Sequence, residues 1–276
     1  MKPMLHIKHP MVRVATLLAA VMLLGACSSA VLAPASPSAA ARSALAPSGT
    51  LRAAINFGNP ILAARDAATG EARGVSVDLA RELGRRLEVP VELVLYTAAG
   101  KVVEGIKKGE WDIGFFAIDP VRAADIDFTP AYVVIEGAYL VPGSSAIARN
   151  EDVDREGVRV VVGRGSAYDL YLTRELKKAK IVRAPTSPAV TDLMLADRIE
   201  VAAGVKQQLE ADARRLPGLR LLDGRFMVIN QAMGIPKGRA AGTAYVSEFV
   251  QQMKASGFVA NALKRHGIEG AAVAPQ

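Results

Sequence analysis

Few side chains in this sequence are arranged for acid–base or nucleophilic chemistry. Of its three His, His6 and His9 fall within the first ten residues, His266 sits at the end of a C-terminal amphipathic run, and Cys27 is the single Cys. A Cys/His metal site, a disulfide framework and a Cys-His or Ser-His-Asp nucleophile therefore lack their parts. Two places instead offer anion chemistry. Arg122 follows Pro120 in IDPVRAAD (118–125), and a guanidinium is a planar fork that suits a bidentate carboxylate partner. Its alternative is a surface ion pair with Asp125 or Asp127. Gly165-Ser166 joins the apolar run VRVVVG (158–163) to SAYDLYLTRELKKA (166–179). A helix opening directly after a strand presents backbone N–H groups and a hydroxyl to an anion. A plain Ser N-cap is the alternative there, and both roles can coexist.

Those residues need elements to hold them, and the sequence alternates short apolar runs with amphipathic ones. LRAAINF (51–57) reads as a strand and DAATGEARG (66–74) as a turn-rich excursion. VSVDLARELGRRLEV (75–89) sets Val77, Ala80, Leu83 and Leu87 at helical spacing, with Arg81, Glu82, Arg85 and Arg86 outward. PVELVLY (90–96) reads as a strand, KVVEGIKKG (101–109) as a short helix, and WDIGFFAI (111–118) as a buried strand. This β-α-β-α-β rhythm implies a parallel sheet with helices on both faces. The same grammar repeats: VRVVVG, then a helix turning Leu170, Leu172 and Leu176 inward, then IVRA (181–184). SPAVTDLMLA (187–196) follows as a helix with Ser187 at its N-cap and Pro188 at its first position. VAAGV (201–205), a helix from Gln207 to Arg215 and the apolar run FMVINQAMGI (226–235) complete the set. VSEFVQQMKASGFVANALKRHG (246–267) reads as two amphipathic helices broken near Gly257. Two α/β lobes result, with the C-terminal helices returning to the first.

The N-terminal region is of another kind. Lys2, Lys8 and Arg13, with no acid, precede an uncharged run from Val14 to Ala26. At 13 residues this run is too short for a membrane span, which needs roughly 20, and it reads as a signal peptide over 1–26. Leu24-Gly25-Ala26-Cys27 resembles the bacterial lipobox, which implies lipidation of Cys27; an ordinary signal peptide with an incidental Cys is the alternative. Residues 27–48 are rich in Ala, Pro and Ser and read as a flexible tether. Loss of the leader lowers the formal net charge from +7 to +4, with the charges interspersed, so the basic balance does not point to nucleic acid.

Over Gly49 to Gly267 the chain resembles the bacterial extracellular solute-binding proteins of the polar amino-acid type. The likeness rests on GTLRAAI (49–55), GVSVDLARELGRRLEV (74–89), KVVEGIKKGEWDIGF (101–115), IDPVRAADIDFTPAYV (118–133) and VRVVVGRGSAYDLYL (158–172), in that order. It implies the type II periplasmic-binding fold: two α/β lobes joined by a two-strand hinge, with lobe 1 over 49–141 and 231–270, lobe 2 over 142–230, and a tail over 271–276. Crossovers are expected near Leu140–Gly143 and Val228–Met233. The resemblance further implies a lipid-anchored protein of the periplasm or cell envelope, monomeric and without cofactor. It would close on an amino acid or related small carboxylate and deliver it to an ABC permease.

Carried residue by residue, the resemblance makes Arg122 the carboxylate grip, with Gly165 and Ser166 as its second-lobe counterpart. Asn56, Phe57 and Asn59 fall where the ligand side chain is covered, although Gly58-Asn59-Pro60 is also good turn chemistry. Gly114, Phe115 and Phe116 fall where a strand meets the cleft, one Phe being expected in the core. Glu136, near the first crossover, is either a cleft acid or an edge-strand charge. Two departures stand out: Ala117 occupies a position usually given to Thr or Ser, and Val205, followed by Lys206, occupies that of the acid that binds the ligand's α-ammonium. The ligand is thus expected to keep its carboxylate but to lack an α-amine, or to have its amine met by Glu136, Asp119 or a backbone carbonyl. Two competing readings are a dehydratase of prephenate or arogenate, with Glu136 and Asp119 as cleft acids, and a sensory ligand-binding lobe.

Overall fold

The computed structural model describes residues 36–276; the expected leader and the candidate lipidation site Cys27 lie outside the described residues. The first lobe is built on β1 (Leu51–Asn56), flanked in parallel by β4 (Val91–Tyr96) and β5 (Ile113–Ala117), with a small hairpin of β2 (Ala64–Arg65) and β3 (Ala72–Arg73) beside it. Helix α2 (Val75–Leu87) buries Val77, Ala80, Leu83 and Leu87 completely on one face of this sheet, as its 3.6-residue period requires. Helix α3 (Ala99–Lys107) covers the other face, where Val102, Trp111, Phe116 and Ile126 form a second cluster.

The second lobe repeats the plan. β7 (Arg159–Gly163) lies between β8 (Lys180–Ala184) and β9 (Val201–Val205), parallel to both. Helix α4 (Ala167–Glu175) packs Tyr168 and Leu172 on one side, and α5 (Val190–Ala196) and α6 (Lys206–Arg215) bury Val190, Met194 and Leu209 on the other. Leu170 and Leu176, expected inward, are half-buried. Thr186, not Ser187, is the N-cap residue here: a 3₁₀ turn at Ser187–Ala189 holds Pro188 before α5 starts.

One strand joins the lobes more than any other. β6 runs 17 residues, Ile126–Pro142, and was not foreseen as an element because Pro130 and Gly137 interrupt its apolar pattern. Its first part pairs antiparallel with β11 (Met227–Pro236), and Gly137–Leu140 pair with β9. The short β10 (Leu219–Leu221) also pairs with Leu140–Pro142. Leu140 thus already belongs to the second lobe, and the first crossover falls nearer Val133–Gly137 than Leu140–Gly143. Further along, Gln231–Gly234 of β11 pair with Ala117–Gly114 of β5. The sheet order β4-β1-β5-β11-β6-β9-β7-β8 is mixed, not all parallel, because both crossover strands run antiparallel to their neighbours.

Both ends of the body differ from the sequence reading. Part of the expected tether is helix α1 (Ala39–Leu45), capped by the Ser38 hydroxyl, which accepts from Ala41 N–H at 3.1 Å. Ala-rich sequence is the best helix former, and Ala41 and Leu45, four residues apart, bury their side chains where α1 packs on α7 (Ala240–Ala255). After α8 (Phe258–Arg265), the expected tail adds β12 (Ala272–Val273) to β6 and buries Ala274.

Candidate functional site

Arg122 starts a 3₁₀ turn (Arg122–Ala124) just after β5, and its side chain is 3% exposed between the lobes. Its Nη1 donates to the Ala117 carbonyl at 3.0 Å in the first lobe, and its Nη2 donates to the Gly165 carbonyl at 2.9 Å in the second. Nε–H is buried without a partner. The guanidinium carbon stands 5.9 Å from the Phe116 ring centroid. Burial pushes the Arg122 pKa down to about 10, against the pull of Asp119, so the group stays cationic at neutral pH. Neither the Asp125 nor the Asp127 carboxylate, the partners of its surface alternative, pairs with the guanidinium; Asp125 meets Arg122 only through its backbone N–H, which donates to the Arg122 carbonyl at 3.1 Å.

Gly165 takes φ +69°, and a Cβ there would stand 2.8 Å from the Gly100 Cα at the start of α3. Only glycine lets the lobes meet this closely. Its N–H donates to Asp169 Oδ2 at 2.8 Å, while Asp169 N–H donates to Ser166 Oγ at 3.0 Å. This reciprocal cap uses both groups expected to seat an anion. The next two N–H groups, of Ala167 and Tyr168, have no intrahelical acceptor by helix geometry, and both residues line the cleft. Arg183 Nε in turn bonds Asp169 at 2.9 Å.

The lobes enclose a space of about 50 Å³ bordered by Asn56, Asn59, Phe115, Ala117, Arg122, Ser166 and Val205 among the sequence candidates. Gly165 touches this cleft through its carbonyl on Arg122 rather than as a lining group. Asn56 Oδ1 accepts from Gly58 N–H at 2.9 Å, a local turn bond, whereas Asn59 Oδ1 is buried without a partner. Phe57 faces away, beneath Arg65 at 4.8 Å. Both Phe115 and Phe116 line the cleft from within core clusters; Phe115 meets Tyr132 edge-on at 6.0 Å and Phe116 tilts against Trp111 at 5.5 Å. The Gly114 position is filled by the Phe116 ring.

Glu136 does not reach the cleft. It accepts from Arg225 at 2.5 Å and Lys206 at 3.3 Å, and borders a separate, larger hollow of about 500 Å³ with Lys206, Glu210 and Arg214. The Arg225 bond, against a smaller burial effect, holds its carboxyl below the usual carboxylate range. Asp119 is likewise occupied: its Oδ1 accepts from Val121 N–H at 2.8 Å and its Oδ2 from Arg174 at 2.9 Å. The sequence reading missed Ser76, Gln231 and Tyr168 as cleft residues and misplaced Ser187 as a cap. Ser76 shares a 3.3 Å hydroxyl bond with Tyr132, and Gln231 is 6% exposed within an otherwise apolar strand. A polar residue inside an apolar run was the signal available for both.

Two α/β lobes joined by two crossover strands, with a buried arginine between them, define a protein of the type II periplasmic-binding fold. The model of the bacterial extracellular solute-binding proteins, family 3, matches residues 51–268, and the chain belongs to that family. No curated protein matches it. Among solved structures, the solute receptor for L-cysteine of Neisseria gonorrhoeae is 23% identical, with a TM-score of 0.73 over 83% of this chain and 94% of that one. A putative ABC-transporter binding component from Wolinella succinogenes, complexed with lysine, is 22% identical with a TM-score of 0.67, over 79% and 95%. The ancestral amino acid-binding protein AncCDT-1, described as a precursor of cyclohexadienyl dehydratase, is 22% identical with a TM-score of 0.69, over 81% and 97%. At these identities the likeness is one of fold.

Proposed function

We propose that this chain captures a small carboxylate, an amino acid or related organic acid, between its lobes and delivers it to an ABC permease. The observation that carries this reading is Arg122: a cation buried between the lobes, bonded to one carbonyl of each, with Nε–H left over for a ligand oxygen. Its neighbours at the start of α4 add two N–H groups to the same space. Because most of the lining residues are buried and the rest half-buried, a ligand enters by separation of the lobes about β6 and β11 and is held by their closure. Anchoring through a lipidated Cys27 at the cell envelope, and action as a monomer, complete the proposal.

Membership of the family and the amino-acid-binding relatives support binding over reaction. A dehydratase would need a cleft acid, and the two acids expected to serve, Glu136 and Asp119, are each engaged in ion pairs. Small-angle scattering tests the closure directly: addition of a bound carboxylate should reduce the radius of gyration, and an unchanged radius with bound ligand would exclude capture by closure.

A further inference from the structure

The charge around the cleft is one-sided. Arg122 is the only ionised side chain bordering it, and no Asp or Glu does so among the described residues. The acids nearest in the fold are committed elsewhere: Asp119 to Arg174 and Val121 N–H, Asp169 to Arg183 and Gly165 N–H, Glu136 to Arg225 and Lys206. The remaining polar groups are neutral. Asn59 Oδ1 is buried and unpartnered, and Gln231 and Ser187 line the same space. A carboxylate placed here meets a cation. An ammonium placed here meets only neutral acceptors, beside a like charge, and burial without a counter-charge is costly.

We infer that the cleft selects small carboxylates carrying a neutral polar group, hydroxyl or oxo, where an amino acid carries its α-ammonium. Asn59 supplies the neutral contact, since its amide offers an acceptor or, turned over, a donor. This rests on the reading of the cleft as a carboxylate site, and the test separates the two.

Calorimetric titration of the purified protein with matched series settles it: alanine, lactate and pyruvate; leucine, 2-hydroxyisocaproate and 2-oxoisocaproate; phenylalanine, phenyllactate and phenylpyruvate. In the series that binds, the hydroxy or oxo acid should bind at least about 100-fold more tightly than the amino acid. The isosteric Asn59→Asp variant, which adds the missing carboxylate, should narrow that gap about tenfold. An amino acid that binds the natural protein as tightly as its hydroxy and oxo partners would overturn the selectivity while leaving the carboxylate site standing. An unchanged gap in Asn59→Asp would overturn the role of Asn59. Binding by no member of any series would overturn the carboxylate site itself, and the inference with it.

Discussion

Asp119 of the first lobe and Arg174 of the second form a 2.9 Å ion pair across the cleft, with Asp119 buried and Arg174 half-buried. The pair lies beside the Arg122 bond to Gly165, so two protein-made contacts tie the lobes together at one point. Closure therefore draws on the protein's own contacts as well as on those of a ligand. Such contacts add to the closed state and raise apparent affinity by enlarging the binding-competent population.

Arg174→Met should weaken ligand binding about three- to tenfold. Closure in this variant buries Asp119 without its partner, while the bond from Val121 N–H to Asp119 is kept. Scattering should show a larger radius of gyration for the unliganded variant than for the natural protein. Unchanged affinity and radius would mean that the pair contributes nothing to closure, as for many partly exposed ion pairs.

Gly165→Ala should lower affinity by at least tenfold with a small loss of stability. The added Cβ meets Gly100 only when the lobes are together, and the positive φ costs about 1 kcal/mol in either arrangement. A matching loss at Gly100→Ala is not expected, since a Cβ there has 3.5 Å to its nearest neighbours. Equal effects at both positions, read by calorimetry, would contradict this account.

Asp112 is fully buried and accepts from Arg52 and Arg239, each at 2.9 Å. Burial pushes its carboxyl up, but the two arginines outweigh this and hold it below its ordinary value of 3.8. A carboxylate with a depressed folded-state pKa stabilises the protein above its unfolded value and loses that contribution as pH falls through the folded one. The thermal midpoint should therefore fall as pH drops below about 4. Asp112→Asn should lose about 2–3 kcal/mol at pH 7 and show a shallower acid slope than the natural protein.

Leu45→Ala should destabilise the body by about 2–4 kcal/mol, because Leu45 is fully buried and packs at Gly242 of α7. Denaturant unfolding checks this. A change below about 0.5 kcal/mol would return residues 39–45 to the status of a tether.

Much of the scaffold could be read from residue spacing. Val77, Ala80, Leu83 and Leu87 define α2 because one face of a helix repeats every 3.6 residues, and the short apolar runs of both lobes became strands at nearly the expected bounds. β6 was hidden because it has two environments, pairing with β11 in its first part and with β9 from Gly137, and because Pro130 and Gly137 break its pattern, so no single alternation runs through it. α1 was hidden by composition, since Ala- and Ser-rich sequence suits both a tether and a capped helix, and only the docking of Leu45 decides. Within the site, Arg122 was legible as a guanidinium beside a proline turn. The pairing of Gly165 and Ser166 with Asp169 was within reach as a Ser-x-x-Asp cap. Ser76 and Gln231 carried only the weak mark of a polar residue in an apolar run; that both border one cleft depends on contacts between distant segments, which leave little trace in local spacing. Glu136 could be read as a cleft acid or as an edge-strand charge because its partners Lys206 and Arg225 are distant in sequence.

The role proposed for Arg122 is to hold a carboxylate between the lobes. Thermal unfolding of the natural protein and of Arg122→Gln, each with the matched acids and amino acids above, tests it most directly. At least one carboxylate should raise the midpoint of the natural protein, since a ligand bound only by the folded state stabilises it by mass action. The same compound should leave Arg122→Gln unmoved. A shift of equal size in both proteins, or none in the natural one, would contradict that role.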